Sequence, residues 1–256
     1  MTTADRPSPL WQPGEPLTFS AARGMERTLV PERTTWIGGG NFGEVFSVHG
    51  IMRHAGEQPT QARVAIKQFD NRENVERAVR YHDLLARLSL PVFGMYEAER
   101  EKNLILMPNG NTDRRLMVSQ NRSLARSALE RHPLDTIENT NQLIASLIQG
   151  VRMAAHFGLF IPNDAYLYSV RRNGGSGIAS YSLDDTDNVR TQKEAAVGTT
   201  ELLGQNVRAV RDSLRDNLLS FAVRSPESGI LADRLQAILQ NAQGIIEEEL
   251  GRVCEC

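Results

Sequence analysis

A run of glycines set between strand-forming residues constrains this chain more than any other stretch. Residues 36–48 read Trp-Ile-Gly-Gly-Gly-Asn-Phe-Gly-Glu-Val-Phe-Ser-Val. Gly38, Gly40 and Gly43 fit G-x-G-x-x-G, and Val45 completes the longer G-x-G-x-x-G-x-V. In a dinucleotide-binding fold such glycines open a helix. Here strand formers lie on both sides, so the expected shape is strand, glycine turn, strand. Backbone without Cβ atoms can approach phosphate oxygens closely, and such a turn suits a flap over phosphates. A little further on, Val64-Ala65-Ile66-Lys67 forms an apolar strand ending in one lysine.

The glycine turn and the V-A-I-K strand, in this order, resemble the protein kinase-like superfamily. The resemblance implies an α+β, two-lobed fold. Its small lobe is an antiparallel sheet with one helix, and its large lobe is reduced and mostly helical. Residues 30–108 are the expected small lobe and 109–256 the large one. Residues 1–29 carry Pro7, Pro9, Pro13 and Pro16 and read as a flexible tail with one short docked piece near Leu17-Thr18-Phe19. Small-lobe strands are expected over 34–37, 43–51, 63–69, 92–96 and 103–107, with a helix over 71–88. By the resemblance, Gly38, Gly40 and Gly43 cover the phosphates of ATP and Lys67 contacts them. Val45, Ala65 and Met107 line the nucleotide, with the backbone of 107–109 facing the adenine. Glu76 is the expected helix partner of Lys67, although spacing back from Pro91 puts the family position near Tyr81.

The second half of the motif set departs from the family. A kinase needs a carboxylate in H-R-D-x-x-x-x-N and a metal-binding aspartate in D-F-G. After a long helix expected over 136–157, Ile161-Pro162-Asn163 stands where H-R-D belongs, followed by Asp164. The family's metal-binding asparagine would fall at Tyr168, which cannot ligate Mg²⁺. Asp164 is the remaining candidate to position an acceptor. A hairpin then runs over 167–183 into Asp184-Asp185-Thr186-Asp187-Asn188. Asp184 takes the D-F-G place, with Asp185 and Asp187 as further oxygen ligands for Mg²⁺. Two helices over 199–223 and 229–253 end the chain, with no A-P-E motif. Kinase-like domains of bacterial effectors are trimmed in this way.

Bulk composition narrows the partners. The chain has 256 residues with 29 Lys and Arg against 31 Asp and Glu, a net charge of −2. That balance gives no sign of nucleic-acid binding. The arginine-rich stretch over 112–131 reads as a solvated helical excursion or a basic docking surface. No apolar run is long enough for a membrane span, and no secretory leader is visible. The only cysteines are Cys254 and Cys256, too few to close a zinc site. The expected setting is cytoplasmic, or that of an exported effector acting in a host cytoplasm. The expected function is an ATP- and Mg²⁺-dependent phosphotransferase acting on protein. A nucleotide-binding pseudokinase and a kinase-like AMP transferase are the alternatives.

Overall fold

The structure is a computed structural model. It describes residues 7–20, 26–40, 42–54, 56–95, 97–99, 102–108, 115–118, 136–173, 176–184 and 186–214. The described residues up to Arg87, with Val92–Pro108, form one compact unit. Leu88–Pro91 and the residues from Arg115 onward form a second.

The first unit is an antiparallel sheet closed into a barrel. Its strands are β1 (Leu17–Ser20), β2 (Glu26–Gly40), β3 (Gly43–His54), β4 (Thr60–Phe69), β5 (Glu97–Glu99) and β6 (Leu104–Pro108). The strand order is β1-β2-β3-β4-β6-β5, and Ser20 pairs with Ala98 to close the ring. The helix α1 (Arg72–Arg87) follows β4, and Asn71 Oδ1 accepts from Asn74 N at its start. From β2 onward the element order is the expected one of three strands, a helix and two strands.

Two expectations are corrected here. Residues 7–16 are not a flexible tail, and the docked piece expected near Leu17-Thr18-Phe19 is strand β1. Leu17 and Phe19 alternate inward on β1 and are buried with Trp11, Leu29, Phe46, Val48, Ile66, Leu104 and Leu106. Trp11 stacks edge-on against Phe46 at 5.3 Å, and its Nε1 donates to Thr34 Oγ1 at 3.2 Å. Burying an aromatic of this size contributes roughly 2–3 kcal/mol. The fifth strand lies at Glu97–Glu99 and not at 92–96, because Ala98 pairs with both Ser20 and Ile105. The stretch at 92–96 instead lends Phe93 and Met95 to the face under α1.

Among its described residues, the second unit has a four-stranded sheet and three helices. The sheet runs β7 (Arg115–Val118), β10 (Tyr166–Asn173), β11 (Ser176–Leu183), β8 (Thr136–Ile137). The strand β7 falls where a helical excursion was expected. A separate pair is β9 (Leu159–Phe160) with β12 (Arg190–Thr191). The helices are α2 (Thr140–His156), α3 (Gln192–Ala195) and α4 (Thr199–Ser213). In α2, Leu143, Leu147, Val151 and Ala154 recur at helical spacing and are buried. In α3, Thr191 and Glu194 make a capping box that starts the helix directly from β12. Asn139 braces β11 from below α2: its side chain donates to Ala179 O at 2.7 Å and accepts from Ala179 N at 2.8 Å. The second expected helix of the C-terminal pair, over 229–253, lies outside the described residues, as do Cys254 and Cys256. No helix among the described residues is long and apolar enough to cross a membrane.

Period-2 alternation buries Tyr166, Tyr168 and Val170 of β10 with Ala179, Tyr181 and Leu183 of β11. Burial pushes the hydroxyls of Tyr166, Tyr168 and Tyr181 above the usual tyrosine range. Contacts with Ser213 and Ser146 offset part of this for Tyr168 and Tyr181. The unfolded chain would release these protons near pH 10, while the folded chain keeps them. Stability contributed by these groups is therefore full below about pH 10 and is lost as pH rises above it. The urea midpoint is expected to fall as pH rises from about 10 toward 12, and Tyr168→Phe to fall less. Equal losses in the two proteins would show that Tyr168 does not carry this effect.

Candidate nucleotide and catalytic site

The candidate nucleotide residues sit on the first unit, and the pleat of two strands arranges them. Val45 pairs with Lys67 across β3 and β4, and Ala65 pairs with Met107 across β4 and β6. Alternation sends Phe46 and Ile66 into the barrel interior, where both are buried. It sends Val45, Ala65 and Met107 to the opposite face, where they pack with Phe69, Ile105 and α1 residues Val75 and Ala78. Lys67 shares their face by strand parity, with its Nζ 4.8 Å from the Phe69 ring centre. Four predicted residues, Val45, Ala65, Lys67 and Met107, are thus gathered on one face by register alone.

The glycine turn closes this face at one end. Gly40 pairs with Gly43 across a two-residue turn, and Gly38 pairs with Val45. Gly43 has φ +149°, and a Cβ there would collide with the carbonyl oxygen of Gln68. Phe42 O accepts from Asp70 N at 3.2 Å and ties the turn to the end of β4. A Cβ on Gly38 would meet nothing within 4 Å, so internal packing does not require glycine there. On the other face, Trp36 Nε1 donates to Glu44 Oε2 at 2.6 Å across a register break at Ile37. A Cβ on Gly39 would run into that same carboxylate. Neither Trp36 nor Glu44 was picked out from the sequence.

Glu76 does not take the place expected for it. The buried stripe of α1 is Val75, Ala78, Tyr81 and Leu85. One step round from Val75, Glu76 faces solvent and pairs with Arg72 at 2.8 Å. Both partners of that pair are more than half exposed, so it adds little stability. Tyr81 is buried, with the guanidinium groups of Arg77 and Arg80 about its ring. Neither position offers Lys67 a carboxylate from the helix.

Lys67 apart, the candidate catalytic and metal-binding residues sit on the second unit, in or beside two short turns. One covers Asn163–Ala165 and the other Thr186–Asn188. Two ladders bracket them. Before the first turn and after the second, β9 pairs with β12. Past the other ends, Tyr166 pairs with Leu183, and Asp184 N donates to Ala165 O at 2.8 Å. Asn206 on α4, fully buried, satisfies the other edge of β9. Its Nδ2 donates to Leu159 O and its Oδ1 accepts from Ile161 N, both at 2.8 Å.

Within this frame Asn163 is exposed and Asp164 is half-buried. Asp164 Oδ2 accepts from Asn188 Nδ2 at 3.2 Å. Asp184 is half-buried at the end of β11, and Asp187 is buried. Asp185 and Asn109 lie outside the described residues. Tyr168 is fully buried in the core of the second unit. Among the described residues, no three His, Cys, Asp or Glu side chains are grouped to hold a metal on their own. Mg²⁺ is commonly bound through one or two carboxylates together with substrate phosphates and water. The donor set of Asp184 and Asp187 fits that mode, and a closed all-protein cage does not.

The glycine geometry gives a paired expectation. Gly43→Ala forces a Cβ onto Gln68 O at a positive φ, and should cost about 1–3 kcal/mol in chemical denaturation. Gly38→Ala should stay within about 0.5 kcal/mol of the parent. Equal losses would show that the turn is not held as described.

No family model matches the chain, and no curated protein does. Among solved structures, one similar protein is a Rio2 kinase–ADP/Mg²⁺–phosphoaspartate complex from Chaetomium thermophilum. The likeness covers 91% of this chain and 72% of that one, at 10% identity and a TM-score of 0.45. Another is the kinase domain of a rhoptry antigen from Toxoplasma gondii. It covers 93% of this chain and 89% of that one, at 13% identity and a TM-score of 0.36.

Proposed function

We propose that this chain is an ATP- and Mg²⁺-dependent phosphotransferase of protein kinase-like type, acting on a protein hydroxyl. The observation that carries the reading is the common face of Val45, Ala65, Lys67 and Met107, closed at one end by the glycine turn. Val45, Ala65 and Met107 offer an apolar surface for a base. Lys67 offers a cation for phosphate oxygens, and the turn from Gly38 to Gly43 offers backbone N–H groups. Phosphoryl transfer needs little covalent help from the protein, because its transition state is loose. Positioning and charge stabilisation supply most of the rate. In this reading Mg²⁺ neutralises phosphate charge, and Asp184 and Asp187 would hold it. Asp164 accepts the acceptor hydroxyl's proton as that oxygen bonds to the γ-phosphorus and the bond to ADP breaks.

One observation favours a second reading, a domain that binds nucleotide or a partner without transfer. Asn163 replaces the family aspartate, and Tyr168 is buried where a polar ligand belongs. The two readings separate with purified protein, Mg²⁺ and ATP labelled on either the γ- or the α-phosphate, with cell lysate as acceptor. The first predicts γ-label on protein, reduced at least ~100-fold by Lys67→Ala and by Asp184→Ala. Label from the α-phosphate would mean AMP transfer. No label, with ATP still raising the melting temperature, would mean binding alone.

A further inference from the structure

Asn188 stands where nothing in the motif pattern calls for a functional residue, yet it reaches the candidate base directly. The two residues are 24 apart in sequence, and the contact is half-buried. The backbone under Asn188 is set on both sides. Val189, next in the chain, is fully buried, and its N–H donates to Thr186 O at 3.2 Å. Thr186 and Asp187 are buried as well. The β9–β12 ladder then starts two residues later, at Arg190. Asp164 is equally fixed, by Ala165 N donating to Pro162 O at 3.2 Å and by Asp184 N on Ala165 O. The Asn188 amide therefore meets the Asp164 carboxylate from one fixed turn to another.

We propose that Asn188 is a positioning residue for Asp164, an inference that rests on the phosphotransferase reading above. An aspartate on a short turn has two free side-chain torsions, and one amide donor on Oδ2 restricts both. Asparagine does this without placing a second charge beside the carboxylate. In this chain position 168 is a buried tyrosine with no side-chain amide, and Asn188 supplies one from the opposite turn. Misplacement of a reacting group by about 1 Å can cost ~100-fold in rate, so one such contact is enough to matter.

The test measures loss of the γ-phosphate from MgATP, summed over water, the protein itself and casein as acceptor. Asn188→Ala removes the amide. Asn188→Leu keeps its size and removes the donor without adding a charge, and it decides the matter if the alanine variant does not fold. Melting temperatures and the KM for MgATP are measured alongside. The expected result is a kcat at least ~10-fold lower in both folded variants, with KM for MgATP within about twofold of the parent. A residue that only fills space would leave Asn188→Leu near the parent kcat. An unchanged kcat in either folded variant, or a raised KM that accounts for the loss, overturns the positioning role and leaves the phosphotransferase reading standing. No γ-phosphate loss from the parent protein overturns that reading and this one with it.

Discussion

Everything in the candidate nucleotide site depends on the register between β3, β4 and β6. Side chains on a strand alternate between two faces, so one residue of slip would exchange the faces completely. With Val45 opposite Lys67 and Ala65 opposite Met107, one face carries the candidate site. With Phe46 opposite Ile66, the other face fills the barrel. The same burial that stabilises the barrel therefore holds the lysine in place. Lys67 cannot turn inward without driving Ile66 out of the barrel interior.

The N-terminal segment reinforces that register from the far side. Trp11 and β1 fill the barrel against Phe46, and Leu10 N donates to Gln68 Oε1 at 2.8 Å beside Lys67. Lys102 pairs with Glu15 and joins the start of the chain to the turn before β6. A sheet closed on itself has no exposed edge to pair with another chain. The second unit shows the same economy of means on a smaller scale. Two strand ladders and the Asn206 bracket fix two three-residue turns, and these carry Asp164, Asp187 and Asn188.

Much of this was legible in the sequence, for physical reasons. The glycine turn and the strands on either side of it follow from local chemistry, and β2, β3 and β4 extend the expected strands without moving them. The hairpin of β10 and β11 likewise lies where alternation and a glycine-rich turn put it. What escaped depended on distant partners. The docked piece at Leu17-Thr18-Phe19 was expected, but four prolines hid the burial of Trp11, which requires Phe46 as its distant partner. The strand at Glu97–Glu99 has polar ends and exists through its pairing with β1 and β6. Glu76 was chosen for its charge, whereas the helix buries the stripe through Val75 and Tyr81. Asn188 and Asn206 are ordinary polar residues until their contacts, 24 and 47 residues away, are in view.

The most direct test of the account is amide hydrogen exchange of the parent protein with and without MgATP. The account predicts slowed exchange over the glycine turn, residues 38–45, and over β4 and β6 around Lys67 and Met107. It predicts little change in β1 or at the far ends of β2 and β3. Protection confined to those far ends, or no protection anywhere in the first unit at saturating MgATP, would contradict it.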